Sequence, residues 1–327
     1  MSDDGGRMGG KGISRVFDRL SRPQKQFLST FSGLLLLGLV FSVLSPYFFS
    51  VNNILTVATQ TAVIAIIAIG QTYVLITGGI DLSIGSNIAL SAMVAGLCMR
   101  AGYPVPAAIF AGLLTGTLSG AVSGVLVAFG KLPPFIATLG TMTIVRGLSF
   151  TLTQAIPIAN LPANFTVWGT GRSLGIPNPV IVMLSLVVIF GFILAKTKLG
   201  RHVYATGSNF EAARLSGVNT RKVQMTVYMF SGLLAAFAGL IMAARIITAQ
   251  PAAGDGYELD AVASSVIGGT STMGGEGSIA GTFVGAFVIG ILRNGLNLIG
   301  VTPYIQKIII GIVIVGSVFL DKIRRKD

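Results

Sequence analysis

Apolar residues fill this chain in long stretches separated by short polar ones. Ten hydrophobic segments stand out, at about 27–46, 54–76, 82–99, 104–129, 133–152, 178–195, 223–247, 259–273, 279–300 and 304–320. Residues 27–46, 104–130 and 178–195 contain no Asp, Glu, Lys or Arg. A helix needs roughly 20 apolar residues to cross the hydrocarbon core of a bilayer, and several segments reach that length. The pattern predicts an all-α, polytopic integral membrane protein of about ten transmembrane segments. The eighth segment, 259–273, is too short to span alone and is rich in Gly and Ser. It is expected to be re-entrant or broken, a state allowed only where surrounding protein covers the backbone.

Composition agrees: 52% of the 327 residues are hydrophobic and 10% charged, against about 25% charged in a soluble domain. The net charge of +12 raises the question of nucleic acid, but the charges lie in short segments between apolar runs, so no nucleic-acid partner is expected. Six of the 23 Lys and Arg fall in residues 1–26, one at Lys131, six in 196–222 and four after residue 320. Arg100 and Arg172 lie in the alternate loops. Basic residues concentrate on the cytoplasmic side of bacterial membrane proteins. Ten crossings place both termini there. The expected organisation is a basic cytoplasmic tail at 1–26, a transmembrane domain at 27–320 with a cytoplasmic loop at 196–222, and a basic tail at 321–327. Residues 1–26 lack the apolar core of a cleavable signal peptide, so the first span is expected to be an uncleaved anchor.

Glycines recur every fourth residue at Gly112, Gly116, Gly120 and Gly124, and again at Gly277, Gly281 and Gly285. Small residues at this spacing let helices approach closely where lipid supplies no hydrophobic drive. They fit packing within one bundle or a subunit interface. Cys98, the single cysteine, is expected to be a small apolar core residue. His202 flanks Arg201 in the basic loop and reads as an ordinary polar loop residue. A phosphate-binding loop of the form G-x-x-x-x-G-K-[ST] has one near match, Gly5 to Lys11, which is followed by Gly12 and has no strand before it. The chain is not expected to hydrolyse ATP, and no catalytic triad or metal cluster stands out.

The loop at 196–222 contains G-S-N-F-E-A-A-R-L-S-G-V at 207–218. Ser208 and Glu211 have the spacing of a capping box, and Gly217 falls where a C-terminal cap belongs. A two-turn surface helix is predicted, with Ala212 and Ala213 small enough for another surface to close on it. The E-A-A followed by Gly resembles the coupling-loop signature of bacterial ATP-binding-cassette importer permeases. Four further stretches are similar to the ribose-type branch of sugar permeases: T-G-G-I-D-L-S-I-G-S at 77–86, Q-P-A-A-G-D-G-Y-E-L-D-A-V-A at 250–263, I-G-G-T-S-T-M-G-G-E-G-S-I-A-G-T at 267–282 and R-N-G-L-N-L-I-G-V at 293–301. The resemblance runs from about residue 30 to 320.

The resemblance implies a membrane subunit that pairs with a second permease subunit, identical copies being expected. It implies docking to a separate cytoplasmic ATPase, which uses ATP and Mg, and sugar delivery by a periplasmic binding protein at the inner membrane. No cofactor is expected on this chain. Ser208, Asn209, Glu211, Ala212, Ala213, Arg214 and Gly217 would form the ATPase-coupling helix. Polar residues interrupting the spans, Gln71, Asp81, Ser83, Ser86, Asn87, Arg293, Asn294 and Asn297, are the candidates for the substrate path.

Ionisable groups at membrane depth cost about 2.5–3.5 kcal/mol on insertion scales, so they usually have a role. Asp81, at a Gly-rich break, could cap the next helix or meet a sugar hydroxyl. Arg146 and Arg293 must pair, snorkel or face water. The spacing of Arg293 and Asn297 puts them on one helix face, either lining a path or bonding between helices. Two rival classes stay open at this point: an ion-coupled secondary transporter, which Asp81 at a broken helix would suit, and a passive polyol channel.

Overall fold

The computed structural model describes residues 22–324. The near match at Gly5–Lys11, most of the tail expected at 1–26 and the end of the tail at 321–327 lie outside them. Thirteen helices are described: α1 Arg22–Leu44, α2 Val51–Ile76, α3 Ile84–Arg100, α4 Val105–Ala128, α5 Pro134–Thr151, α6 Ala163–Thr170, α7 Asn178–Lys196, α8 Lys198–Ser208, α9 Phe210–Leu215, α10 Thr220–Ile246, α11 Tyr257–Ile267, α12 Ile279–Leu298 and α13 Pro303–Arg324. Each of the ten expected segments contains one helix. α6, α8 and α9 are additional and lie in the loops. Six helices, α1, α2, α4, α7, α10 and α12, are by length and hydropathy able to cross a bilayer, and α3 and the apolar part of α13 are shorter.

The order follows from burial. α2 has no charged residue and α10 has them only near its ends (Arg221, Lys222 and Arg245), and the two helices supply half of the main core cluster, with Ile66, Ile67, Tyr73, Leu234, Ala235 and Ala238 fully enclosed. α1 and α13 sit outside, joined to α12 by Phe41, Phe48, Leu292, Leu296 and Ile310. The glycine repeats pack within the chain. A Cβ on Gly120 would overlap the Tyr228 carbonyl of α10, and one on Gly116 would come within 2.5 Å of the Gly232 carbonyl. Cβ atoms on Gly281 and Gly285 would overlap the carbonyls of Gly268 and Ser264. The repeats therefore set α4 against α10, and α12 against α11. Cys98 is half-buried and packs beside the core cluster of α3, α4 and α6.

Two crossings are interrupted. α2 ends at Ile76, the chain turns through 77–83, and α3 resumes with 17 residues, about 25 Å at 1.5 Å per residue. The expected short segment is a composite. Thr248–Ala249 pairs antiparallel with Ile158–Ala159, residues 250–256 follow as a bend, and α11 adds 11 residues, about 16 Å. Ala249 lies against Gly96 near the end of α3, whereas Gly254 lies against Gly85 and Ile88 in its first turns. Past α11, the Gly275 N–H donates to the Ile76 carbonyl at 2.8 Å. Residues 248–275 thus run from one end of α3 to the far end of α2.

Irregular backbone inside a membrane domain needs internal hydrogen-bond partners, and α5 supplies them. Arg146 Nη1 donates to the carbonyls of Pro251 (3.0 Å) and Ala253 (2.7 Å), and Thr138 Oγ1 lies 3.2 Å from the Ile80 carbonyl. One helix braces both breaks.

Candidate functional site

The surface helix expected at 208–217 is present as α9, shorter than predicted and with its start displaced by one residue. Ser208 is the last residue of α8, so the extended residue that starts the next helix is Asn209 (φ −159°, ψ 105°). Asn209 Oδ1 accepts the Ala212 N–H at 2.9 Å, the bond an N-cap makes to the third helical residue. The expected capping box at Ser208 and Glu211 is therefore absent. With the cap at 209, Glu211 is the second helical residue and cannot reach back. Its carboxylate pairs with Arg214 at 2.9 Å, both side chains well exposed. The end is as expected: Gly217 has φ +84°, its N–H donates to Arg214 O (3.1 Å), and the Val218 N–H donates to Ala213 O (3.0 Å). That pair of bonds is the Schellman closure. Ala213 is buried, Phe210 and Leu215 are exposed, and Ala212 is exposed. α9 thus offers a rigid, capped turn with apolar and charged side chains outward.

The break before α3 gathers four of the expected path residues. Asp81, fully buried, accepts the Ser83 N–H at 2.9 Å and the Ser83 hydroxyl at 2.6 Å on Oδ1. Its Oδ2 accepts the Ser231 hydroxyl of α10 at 2.7 Å. The first bond is an Asx-turn. Ser83 is itself the N-cap position of α3, so Asp81 fixes the turn ahead of the helix and does not bond the helical N–H groups. Ser86 Oγ donates to Ser83 O (2.8 Å) and Asn87 Nδ2 donates to Ser83 Oγ (3.3 Å). The Asn87 carbonyl oxygen, the Tyr228 hydroxyl and both amide atoms of Gln71 are buried without a hydrogen-bond partner among the described residues. Gln71 follows Gly70, where a Cβ would come within 2.8 Å of Ser231 Cα.

Arg293, Asn294 and Asn297 do not join that group. Arg293 Nη2 donates to both oxygens of Asp260 on α11, Asn294 exchanges amide hydrogen bonds with Asn53 on α2, and Asn297 Oδ1 accepts from Gln306 on α13 at 2.7 Å. Three neighbouring polar residues are each committed to a different helix, the interhelical bonding that polar groups provide in membrane bundles. Asp260, Asn53 and Gln306 are hydrogen-bond partners that reading the sequence missed. The signal for Asp260 was available, an acid within an apolar eleven-residue helix.

A cavity of about 370 Å³ opens at the other end of the bundle, where α2 begins and α10 ends. Asn52, Thr56, Thr59, Gln60, Arg172 and Arg245 line it. Neither guanidinium meets a carboxylate among the described residues. The lining offers hydroxyls, amides and two cations, suited to a ligand or surface rich in oxygen atoms.

Residues 53–318 match the family model described as branched-chain amino acid transport system / permease component. The chain is 46% identical over 300 residues to the ribose import permease protein RbsC of Bacillus subtilis, covering 91% of this chain and 93% of that protein. It is 46% identical over 293 residues to RbsC of Escherichia coli K12 (88% and 91% covered). It is 38% identical over 299 residues to the D-allose transport system permease protein AlsC of the same strain (91% and 92%). No solved structure gives a significant match.

Proposed function

We propose, from the premise that this chain belongs to the branched-chain amino acid transport system / permease component family, that it is the membrane subunit of an ATP-driven importer of a ribose-like monosaccharide. The observation that carries the reading is near-full-length similarity to ribose import permeases, which extends across α9 and both interrupted crossings. α9 would dock a cytoplasmic ABC ATPase, which binds ATP and Mg; this chain would bind no cofactor. Two copies of the chain would pair in the inner membrane, both termini cytoplasmic, and alternate between outward- and inward-open states as the ATPase pair closes and reopens.

A periplasmic binding protein would deliver sugar at the opposite end, where the cavity beside Arg172 and Arg245 lies. Affinity and selectivity would rest with the binding protein, so the membrane path needs only scattered polar groups such as Gln71 and Asn87. Asp81 favours this reading over ion-coupled transport. Its two oxygens are already engaged by three donors within the fold, which suits a tether better than a carboxylate that loads and unloads an ion.

The test is uptake into proteoliposomes holding this chain, the ATPase and the binding protein, with a panel of labelled pentoses and hexoses. Accumulation that requires ATP and all three components, and that withstands an ionophore, is the expected result. Uptake that persists without the ATPase and collapses with an ionophore overturns the proposal in favour of a secondary transporter.

A further inference from the structure

At the end of the bundle that carries α9, three segments meet with no room for a side chain. A Cβ on Gly207, in the last turn of α8, would overlap the Ile76 carbonyl at the end of α2 and would stand 2.7 Å from Gly275 N. The Gly275 N–H donates to that same carbonyl at 2.8 Å. A Cβ on Gly275 would come within 2.9 Å of Ser208 Oγ, and one on Gly274 within 3.0 Å of the Gly207 carbonyl and 3.1 Å of Gly78 N. Gly78, Gly274 and Gly275 have φ of +79°, +88° and +77°, a region only glycine enters freely. Tyr204, one turn earlier on α8, donates its hydroxyl to the Gly277 carbonyl at 2.7 Å. α8 is thereby fastened at once to α2 and to the loop 268–278.

The segments leaving this junction have distinct destinations. From Ile76 the chain enters the break at 77–83, with Asp81, and then α3. Backwards from Gly268 it enters α11 and the bend at 250–256. The bend at 250–256 touches the first turn of α3, just past the other break, Gly254 against the Gly85 carbonyl. Forward from Ser208 lies Asn209 and α9. The covalent route from α9 to α10 is a second, shorter one, closed by the Gly217 and Val218 N–H bonds to α9 and by Asn219 capping α10. Packed contacts transmit displacement because they are not continuously deformable.

We infer that the Gly207–Ile76–Gly275 junction, latched by the Tyr204–Gly277 hydrogen bond, makes the α8–α9 arm and both interrupted crossings one mechanical unit. A displacement of α9 enters the membrane domain at the two breaks together. Tyr204, Gly207 and Gly275 are positioning residues for transport, and this rests on the proposal that α9 meets an ATPase.

The experiment compares wild type with Tyr204→Phe in the complete reconstituted importer, measuring ATP hydrolysed and ribose taken up in the same vesicles. Phe keeps the ring and removes the latch. Tyr204→Phe should associate with the ATPase and hydrolyse ATP within about twofold of wild type, while ribose moved per ATP falls about fivefold, the shift that one hydrogen bond carries. An unchanged ratio, or hydrolysis and uptake falling in proportion, overturns the inference. A second measurement needs no variant: amide hydrogen exchange of the wild-type complex with and without a non-hydrolysable ATP analogue. Residues 77–83 and 271–277 should change protection together with α9. Change confined to α9 and α10 overturns the inference. If wild-type chain neither binds the ATPase nor shows ATP-dependent uptake, the failure belongs to the proposed function.

Discussion

Arg293 sets one terminal nitrogen against both carboxylate oxygens of Asp260, at 2.8 and 2.6 Å, and so joins α12 to α11. The two partners are unequally placed: the Asp260 side chain is 1% exposed and that of Arg293 32%. Arg293 also lies over the Tyr257 ring, 5.9 Å from its centroid. The pair fastens the first turn of α11, the helical part of an interrupted crossing, just past the bend at 250–256.

The asymmetry predicts unequal mutants. Arg293→Met strands a buried carboxylate, which costs about 3–5 kcal/mol. Asp260→Asn leaves a guanidinium that can still reach water and costs about 1–3 kcal/mol. The double variant should recover part of the loss. Thermal unfolding of the detergent-solubilised proteins measures this, and a more damaging Asp260→Asn would show that the carboxylate does something beyond pairing.

Asp81 gives a second contrast. In Asp81→Asn the remaining carbonyl oxygen still accepts from Ser83 N and Oγ, and the amide donates to a reoriented Ser231 hydroxyl. In Asp81→Leu those donors lose their acceptor inside the membrane domain, at several kcal/mol. Asn should retain substantial ATP-dependent uptake, and Leu should lower folded yield sharply. Ser231→Ala, which removes only the tether to α10, should fall between them. Loss of uptake in Asp81→Asn at normal yield would mean that the carboxylate's charge is needed.

What was legible in the sequence divides along the range of the interactions. Segment 104–129 and helix Val105–Ala128 coincide because a charge-free apolar run has one use in a bilayer. The break at Asp81 was visible because glycines and an acid interrupt such a run. The helix spacing of Arg293 and Asn297 was also correct, but spacing cannot say which helix lies opposite, and the three partners come from α11, α2 and α13. The cap of α9 was missed by one residue because its position depends on where α8 stops. Gly207 was unreadable for the same reason: its necessity comes from the Ile76 carbonyl, far away in the chain.

Sidedness yields a third prediction. Reporter fusions after Lys25, within 200–220 and at Asp327 should report one compartment, the cytoplasm, and a fusion at Asn164 should report the other. Asn164 lies in the first turn of α6, which packs beside the end of α10 through Gly169 and Arg245, whereas the arm precedes the start of α10. α10 has 27 residues, about 40 Å at 1.5 Å per residue, ample for a 30 Å hydrocarbon core. A cytoplasmic signal at Asn164 would break this topology.

The arm offers the finest test, because sequence spacing and structure assign its cap to different residues. Spacing alone favours Ser208 with Glu211. The structure puts the accepting oxygen on Asn209, with Ser208 inside α8. Replacing a capping Asn by Ala costs about 0.5–2 kcal/mol, and in a six-residue helix that is enough to unwind it. Asn209→Ala should therefore weaken co-purification of the ATPase severalfold while leaving membrane insertion intact, and Ser208→Ala should leave it near wild type. Gly217→Val should resemble Asn209→Ala, since a β-branched residue resists the positive φ that the Schellman closure requires. Glu211→Ala removes an exposed pair with Arg214, worth about 0–1 kcal/mol, so a strong docking defect there would mean that Glu211 itself contacts the ATPase. Normal docking and transport in both Asn209→Ala and Gly217→Val would remove α9 from the coupling role.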